Sequence, residues 1–129
     1  MGRSTLELSE SDIQEQCVEW LSRVAAKYPI GFHSVPNEGA LYSDSRKSKA
    51  QYAKLAKLKR MGLTPGVGDL VLFHQGRLYY AEVKKPGKPQ SPKQIEFQKW
   101  CARCGVPYRL IHSLHEMRIY VREILRSPC

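Results

Sequence analysis

The sequence predicts a mixed α/β domain in which helices pack on a small central sheet that contains a hairpin. Three observations predict it. Two apolar runs, Leu70 to Phe73 and Leu78 to Ala81, flank a Gln75-Gly76 turn and read as antiparallel strands. Ile13, Cys17, Trp20, Leu21 and Val24 recur at helical spacing. Ser91, Pro92 and Gln94 open another helix, and Gly105 lies just past its end.

In chain order, the first helix starts near Ser9, where Ser9-Glu10-Ser11-Asp12 resembles a capping box. Glu10 extends its buried stripe with Gln14 on the same side, whereas Glu15 and Glu19 fall toward solvent. Pro29 ends that helix, and Ile30, Phe32 and His33 suit a short strand before the turn Pro36-Asn37-Glu38-Gly39. Ser43 to Met61 follows as a basic helical segment with Tyr52, Leu55, Ala56 and Met61 as its apolar side. A Gly- and Pro-rich connection, Gly62 to Gly68, leads into the hairpin and calls for backbone that approaches something closely. In the helix after Ser91, Ile95, Trp100, Cys101 and Cys104 are expected to face the core, and Gln94 fits the reaching-back half of a capping box. Val106 to Ile111 reads as a strand, and Ser113 caps a last helix with Leu114, Met117, Val121 and Ile124 inward.

The chain has 129 residues and a formal net charge of +9, which fits one domain with a real core and favours a polyanionic partner. No apolar run is long enough to span a membrane and no apolar leader follows Met1, so the cytosol is the expected compartment. Cys17, Cys101, Cys104 and Cys129 form no disulfide framework. Cys101-x-x-Cys104, with His112 and His115 downstream, fits no common zinc spacing, and packed thiols are expected instead.

The chemistry concentrates at one end of the hairpin. A two-residue loop at Gln75-Gly76, or a four-residue loop from His74 to Arg77, places Asp69 directly opposite Glu82; a three-residue loop does not. Opposed like charges on one sheet face are destabilising, so the pair calls for a cation. Lys84, two residues beyond Glu82, shares that face. Close carboxylates with no thiol or imidazole beside them suit a hard cation, Mg²⁺ or Mn²⁺, and such an ion beside a lysine fits phosphodiester hydrolysis. Arg46, Lys47, Lys49, Lys54, Lys57, Lys59 and Arg60 crowd a segment whose only acid is Asp44, and Lys85 and Lys88 form a second basic turn. These charges suit contacts to phosphates. Asn37 is either a turn residue or a further DNA contact.

Gly66-x-Gly68-Asp69 followed by Glu82-Val83-Lys84 resembles the PD-(D/E)xK nuclease signature. Within that superfamily the chain resembles the VRR-NUC (virus-type replication-repair nuclease) domain, from about residue 9 to 122. The matching pieces are Glu10-x-x-Ile13-Gln14, Val35-Pro36-Asn37, Met61 to Leu70, Glu82-Val83-Lys84, and Ser91-Pro92-x-Gln94 with Trp100. The resemblance implies a restriction-endonuclease-like core and metal-dependent cleavage of DNA. It makes Asp69, Glu82 and the Val83 carbonyl metal ligands, Lys84 the catalytic lysine, Glu10 the acid from helix one that completes the site, and Gln94 the glutamine beside the lysine. Gly68 departs from the usual proline, at a position that contributes no ligand. Short stand-alone members resemble phage or bacterial resolvases, which implies a homodimer acting on branched DNA such as a four-way junction.

The rival readings are a nucleic-acid-binding module with a vestigial site, a nuclease acting on flaps or ends, and a basic structural protein, which leaves the facing acids unexplained. If Asp69 and Glu82 repel without a cation, Asp69→Asn should abolish activity yet raise the melting temperature in EDTA. A lower melting temperature would show that the carboxylates are not a strained pair.

Overall fold

The computed structural model describes residues 7–35 and 48–127. Among them the order is α1 (Glu10–Ala25), β1 (Gly31–Ser34), α2 (Lys49–Arg60), β2 (Leu70–His74), β3 (Arg77–Val83), α3 (Pro92–Arg103), β4 (Tyr108–Ile111) and α4 (Leu114–Arg126). This is the order expected from the sequence. The four strands form one mixed sheet in the order β1-β2-β3-β4. β1 and β2 pair antiparallel, as do β2 and β3, whereas β3 and β4 are parallel, joined by the crossover helix α3.

The hairpin register is the expected one. Leu70 pairs with Ala81 and His74 with Arg77, leaving Gln75-Gly76 as the loop. Both loop residues have positive φ, 51° and 78°, the type I′ geometry whose twist matches the flanking strands. His74 is buried, and its Nδ1–H donates to the Pro29 carbonyl at 2.7 Å, tying the hairpin to the connection between α1 and β1.

Strand alternation divides the sheet into two faces. Leu70, Leu72, Tyr79, Ala81 and Val83 pack with Ile111 against Ile13, Cys17 and Leu21 of α1 and Met117, Tyr120, Val121 and Ile124 of α4. That is the core. Asp69, Val71, Tyr80, Glu82 and Lys84 alternate with those core residues and so belong to the opposite face, where Phe97 of α3 packs edge-on to Tyr80 with ring centroids 4.9 Å apart. The chemistry-bearing residues thus stand on the face away from the main core.

Ser9, Ser48 and Ser91 each close a capping box, with Asp12, Gln51 and Gln94 respectively, and Ser113 caps α4. Two expected faces differ from those observed. In α3 the buried residues are Phe97 and Cys101, while Ile95 and Trp100 are 39% and 48% exposed and Cys104, at the C-cap, is exposed. The inward stripe of α3 begins with the polar Gln94, and this shifts its phase from the one the apolar residues alone indicate. In α2 only Leu55 is buried; Tyr52, Ala56 and Met61 are exposed, so this helix presents most of its surface to solvent.

Gly66 has φ +78°, and a Cβ there would overlap the Lys93 carbonyl and crowd the Gln94 nitrogen. The connection before β2 therefore rests its backbone on the first turn of α3, the close approach its glycines called for. Gly66→Ala should cost about 2 kcal/mol or more, through positive φ and collision together. Gly87→Ala, at φ +82° but with open space around it, should cost less. Urea midpoints of the two variants check this, and equal losses would count against the close packing.

Candidate active site

β3 delivers Glu82 and Lys84 to the α3 side of the sheet, and the residue before β2 delivers Asp69. Glu82 and Lys84 are almost fully buried, at 2% and 5% exposure. Asp69 Oδ2 accepts the Val83 N–H at 2.7 Å, so the aspartate is fastened to the strand that carries its partner. The Asp69 and Glu82 carboxyl groups face each other closely enough to share a hydrogen bond. Two carboxyl groups can make that contact only when one carries a proton.

The electrostatics favour a proton on the pair. Glu82 is pushed up to about 9, first by burial and then by the negative charge and hydrogen bond of Asp69; Lys84 opposes this. Asp69 is also raised by burial, against the lowering effects of the Val83 N–H, the Glu82 hydrogen bond and Lys84. Burial pushes both acids up, and Glu82 most, with the Asp69 charge facing it, so the pair favours holding one proton over carrying two full charges. The proton stands where a cation would otherwise balance the pair.

Gln94 completes the expected capping box and also reaches Glu82. Its Oε1 accepts the Ser91 N–H at 2.8 Å as half of the capping box, and its Nε2 donates to Glu82 Oε2 at 2.9 Å. One side chain thus fixes the start of α3 and orients a carboxylate. Tyr108 was not singled out in the sequence, where it reads as an ordinary strand aromatic. Its hydroxyl donates to Glu82 Oε1 at 3.4 Å and accepts from Gln90 Nε2 at 3.3 Å. Burial pushes the Tyr108 hydroxyl up, so it stays a donor. The parallel register, with Tyr108 opposite Tyr80 and Leu110 opposite Glu82, brings it there, and no local motif announces that pairing.

Glu10 stands apart from the pair. Its Oε2 lies 3.3 Å from the Lys85 N–H and 3.3 Å from Lys88 Nζ, at the end of β3. It still acts on Asp69, raising its pKa by like charge. Lys88 is therefore engaged with Glu10, while the Lys85 side chain is exposed. Lys49, Lys54 and Lys57 lie exposed on α2. Asn37, Arg46 and Lys47 lie outside the described residues.

Among the described residues no three acidic, histidine or cysteine side chains stand together as a metal cluster. The donor set is the Asp69–Glu82 pair, and two carboxylates fit Mg²⁺ or Mn²⁺, which keep waters and take substrate phosphates as further ligands. Their mutual charge supports this fit, because a divalent ion would offset the repulsion that helps raise Glu82.

The VRR-NUC domain model matches residues 8–114 of the chain. A solved structure described as a VRR_NUC domain protein superimposes with a TM-score of 0.64, covering 90% of this chain and 87% of the other at 22% identity; at that identity the likeness concerns the fold. No curated protein matches the sequence.

Because Glu82 binds its proton more tightly in the native state than its ordinary value of 4.5, it contributes stability that is full at acid pH and lost as pH rises toward about 9. The gain expected from Asp69→Asn accordingly belongs to the alkaline side. Glu82→Gln mimics the protonated acid, so in EDTA it should match the wild type near pH 5 and exceed it in melting temperature near pH 9. Parallel stability curves for the two proteins would contradict the shared proton.

Proposed function

The chain belongs to the VRR-NUC domain family, and from that premise we propose that it is a Mg²⁺- or Mn²⁺-dependent, structure-selective DNA endonuclease that works as a homodimer on branched DNA. The family membership carries a nuclease-type function. The observation that supports metal-dependent cleavage is the facing Asp69–Glu82 pair, with Glu82 buried beside the buried Lys84.

Asp69 and Glu82, with the Val83 carbonyl, would hold a divalent cation, which would supply polarisation of the scissile phosphate and acidification of a water. The remaining work falls to the chain. Lys84 places a positive charge beside the acids, where it can offset negative charge that grows on the phosphoryl oxygens. Gln94 and Tyr108 grip the two oxygens of Glu82 and leave it little freedom to turn away. Asp69 is held by the Val83 N–H, so both acids are positioned before substrate arrives. Glu10 holds the Lys85–Lys88 turn against the end of β3 and adds negative charge near Asp69, which favours cation entry.

Phosphates beyond the scissile one meet exposed lysines. Lys49, Lys54 and Lys57 on α2 and Lys85 after β3 are exposed and suited to holding a duplex without reading its sequence. A two-fold dimer supplies two sites for two strands, which suits paired incision of a four-way junction.

Incubation with four-way, flap and linear DNA should give cleavage with Mg²⁺ or Mn²⁺ and none in EDTA. Lys84→Ala should lower the rate about a hundredfold or more. Cleavage in EDTA, or an unchanged rate in Lys84→Ala, would contradict the mechanism. Salt-sensitive binding without cleavage under any metal would mark the site as vestigial.

A further inference from the structure

One surface pocket is not explained by the carboxylate site. It has a volume of about 170 Å³ and is lined by Tyr80, Phe97, Trp100, Cys101, Cys104 and Val106. Its walls are aromatic rings set on edge. Tyr80 meets Phe97 at 88° with centroids 4.9 Å apart, and Phe97 meets Trp100 at 83° with centroids 6.3 Å apart. Trp100 is 48% exposed, so much of its indole is available to a ligand. A liquid water occupies about 30 Å³, so the space suits one planar ring system rather than a folded peptide segment.

Two features say what kind of ring. The first is charge. Lys93, Lys99 and Arg103 are exposed on the same helix, whose only acid is Glu96. Lys93 lies two turns before Trp100 on the same stripe. A second copy of this chain seated here would set like charges against each other across a two-fold interface; a polyanion would be attracted.

The second feature is position. Tyr80 and Glu82 are two residues apart on one face of β3, about 7 Å along the strand. Tyr80, one wall of the pocket, therefore neighbours Glu82 along that face, and Gln94, which grips Glu82, opens the helix that carries Trp100. A strand whose phosphate lies at Glu82 has its neighbouring nucleotide at Tyr80.

From these juxtaposed features we infer that the pocket between Tyr80, Phe97 and Trp100 receives an unpaired nucleobase of the bound DNA strand, next to the phosphate at the carboxylate pair. The placement beside the scissile phosphate rests on the nuclease reading above; the capture of a base by stacked aromatic rings does not. Every base has a π face, so such a platform is tolerant of sequence. A base held in a duplex stack cannot enter, because it would first have to leave its neighbours and partner. The pocket thereby selects DNA with unpaired nucleotides at a branch, gap or flap over a continuous duplex.

The test uses the full chain in EDTA, with fluorescence anisotropy on a labelled fork carrying unpaired nucleotides and on a fully paired duplex of the same sequence. Trp100→Ala should weaken fork binding about tenfold and change duplex binding less than about twofold, a ratio that tracks base stacking rather than phosphate contact. Trp100→Phe should restore most of the loss. Unchanged fork affinity, an equal loss on both DNAs, or a change in light-scattering mass in place of a change in DNA affinity would overturn the inference. The nuclease reading is scored separately by wild-type cleavage with metal. Fork-selective loss without any cleavage keeps the pocket and removes the nuclease, and cleavage without fork-selective loss does the reverse.

Discussion

The structure depends on two carboxyl groups facing each other on a buried patch of sheet. Like charges opposed across a β-ladder are unfavourable in water and more so out of it. Glu82 is nearly inaccessible, at 2% exposure, so the chain must neutralise the pair or keep a partner there. The geometry does both. Lys84 adds a positive charge close by, and burial pushes both acids up, which favours a proton shared between Glu82 and Asp69. The remaining contacts hold that arrangement: Val83 N–H on Asp69, Gln94 and Tyr108 on Glu82. A group so positioned before any ligand arrives suits electrostatic catalysis, where preorganised charges act without moving.

The neighbouring elements follow from this need. α1 and α4 cover one face of the sheet with apolar side chains and supply the core. α3 covers the other face and therefore cannot be purely apolar inside. Its inward stripe begins with Gln94, continues through Phe97 and ends at Cys101, which joins polar site and packed aromatics in one helix. Gly66 lets the connection before β2 settle on the first turn of that helix. The position of Gln94 and the entry of Asp69 are thus mechanically linked.

Much of this was legible in the sequence, and for local reasons. The hairpin register follows from one loop length, and the facing of Asp69 and Glu82 follows from the register. Ser9, Ser91 and Ser113 announce their helices through capping chemistry that acts within four residues. What escaped is non-local or functional. Tyr108 reaches Glu82 only because β4 lies parallel to β3 at a register set by the whole crossover. The buried face of α3 was misassigned to Ile95, Trp100 and Cys104 because a polar residue heads the true stripe. Departures of this kind gather where a site interrupts the packing pattern. Tyr52 and Met61 were assigned inward in α2 on apolar character alone, yet 57% and 73% of their surface is exposed.

The central claim is that a cation takes the place of the proton shared by Asp69 and Glu82. Metal binding to protonated ligands releases protons, so calorimetric titration with Mg²⁺ or Mn²⁺ near pH 7.5, repeated in buffers of different ionisation enthalpy, measures the exchange directly. The account predicts release of about one proton per site in the wild type and none in Glu82→Gln. Metal binding to the wild type with no proton release would contradict it.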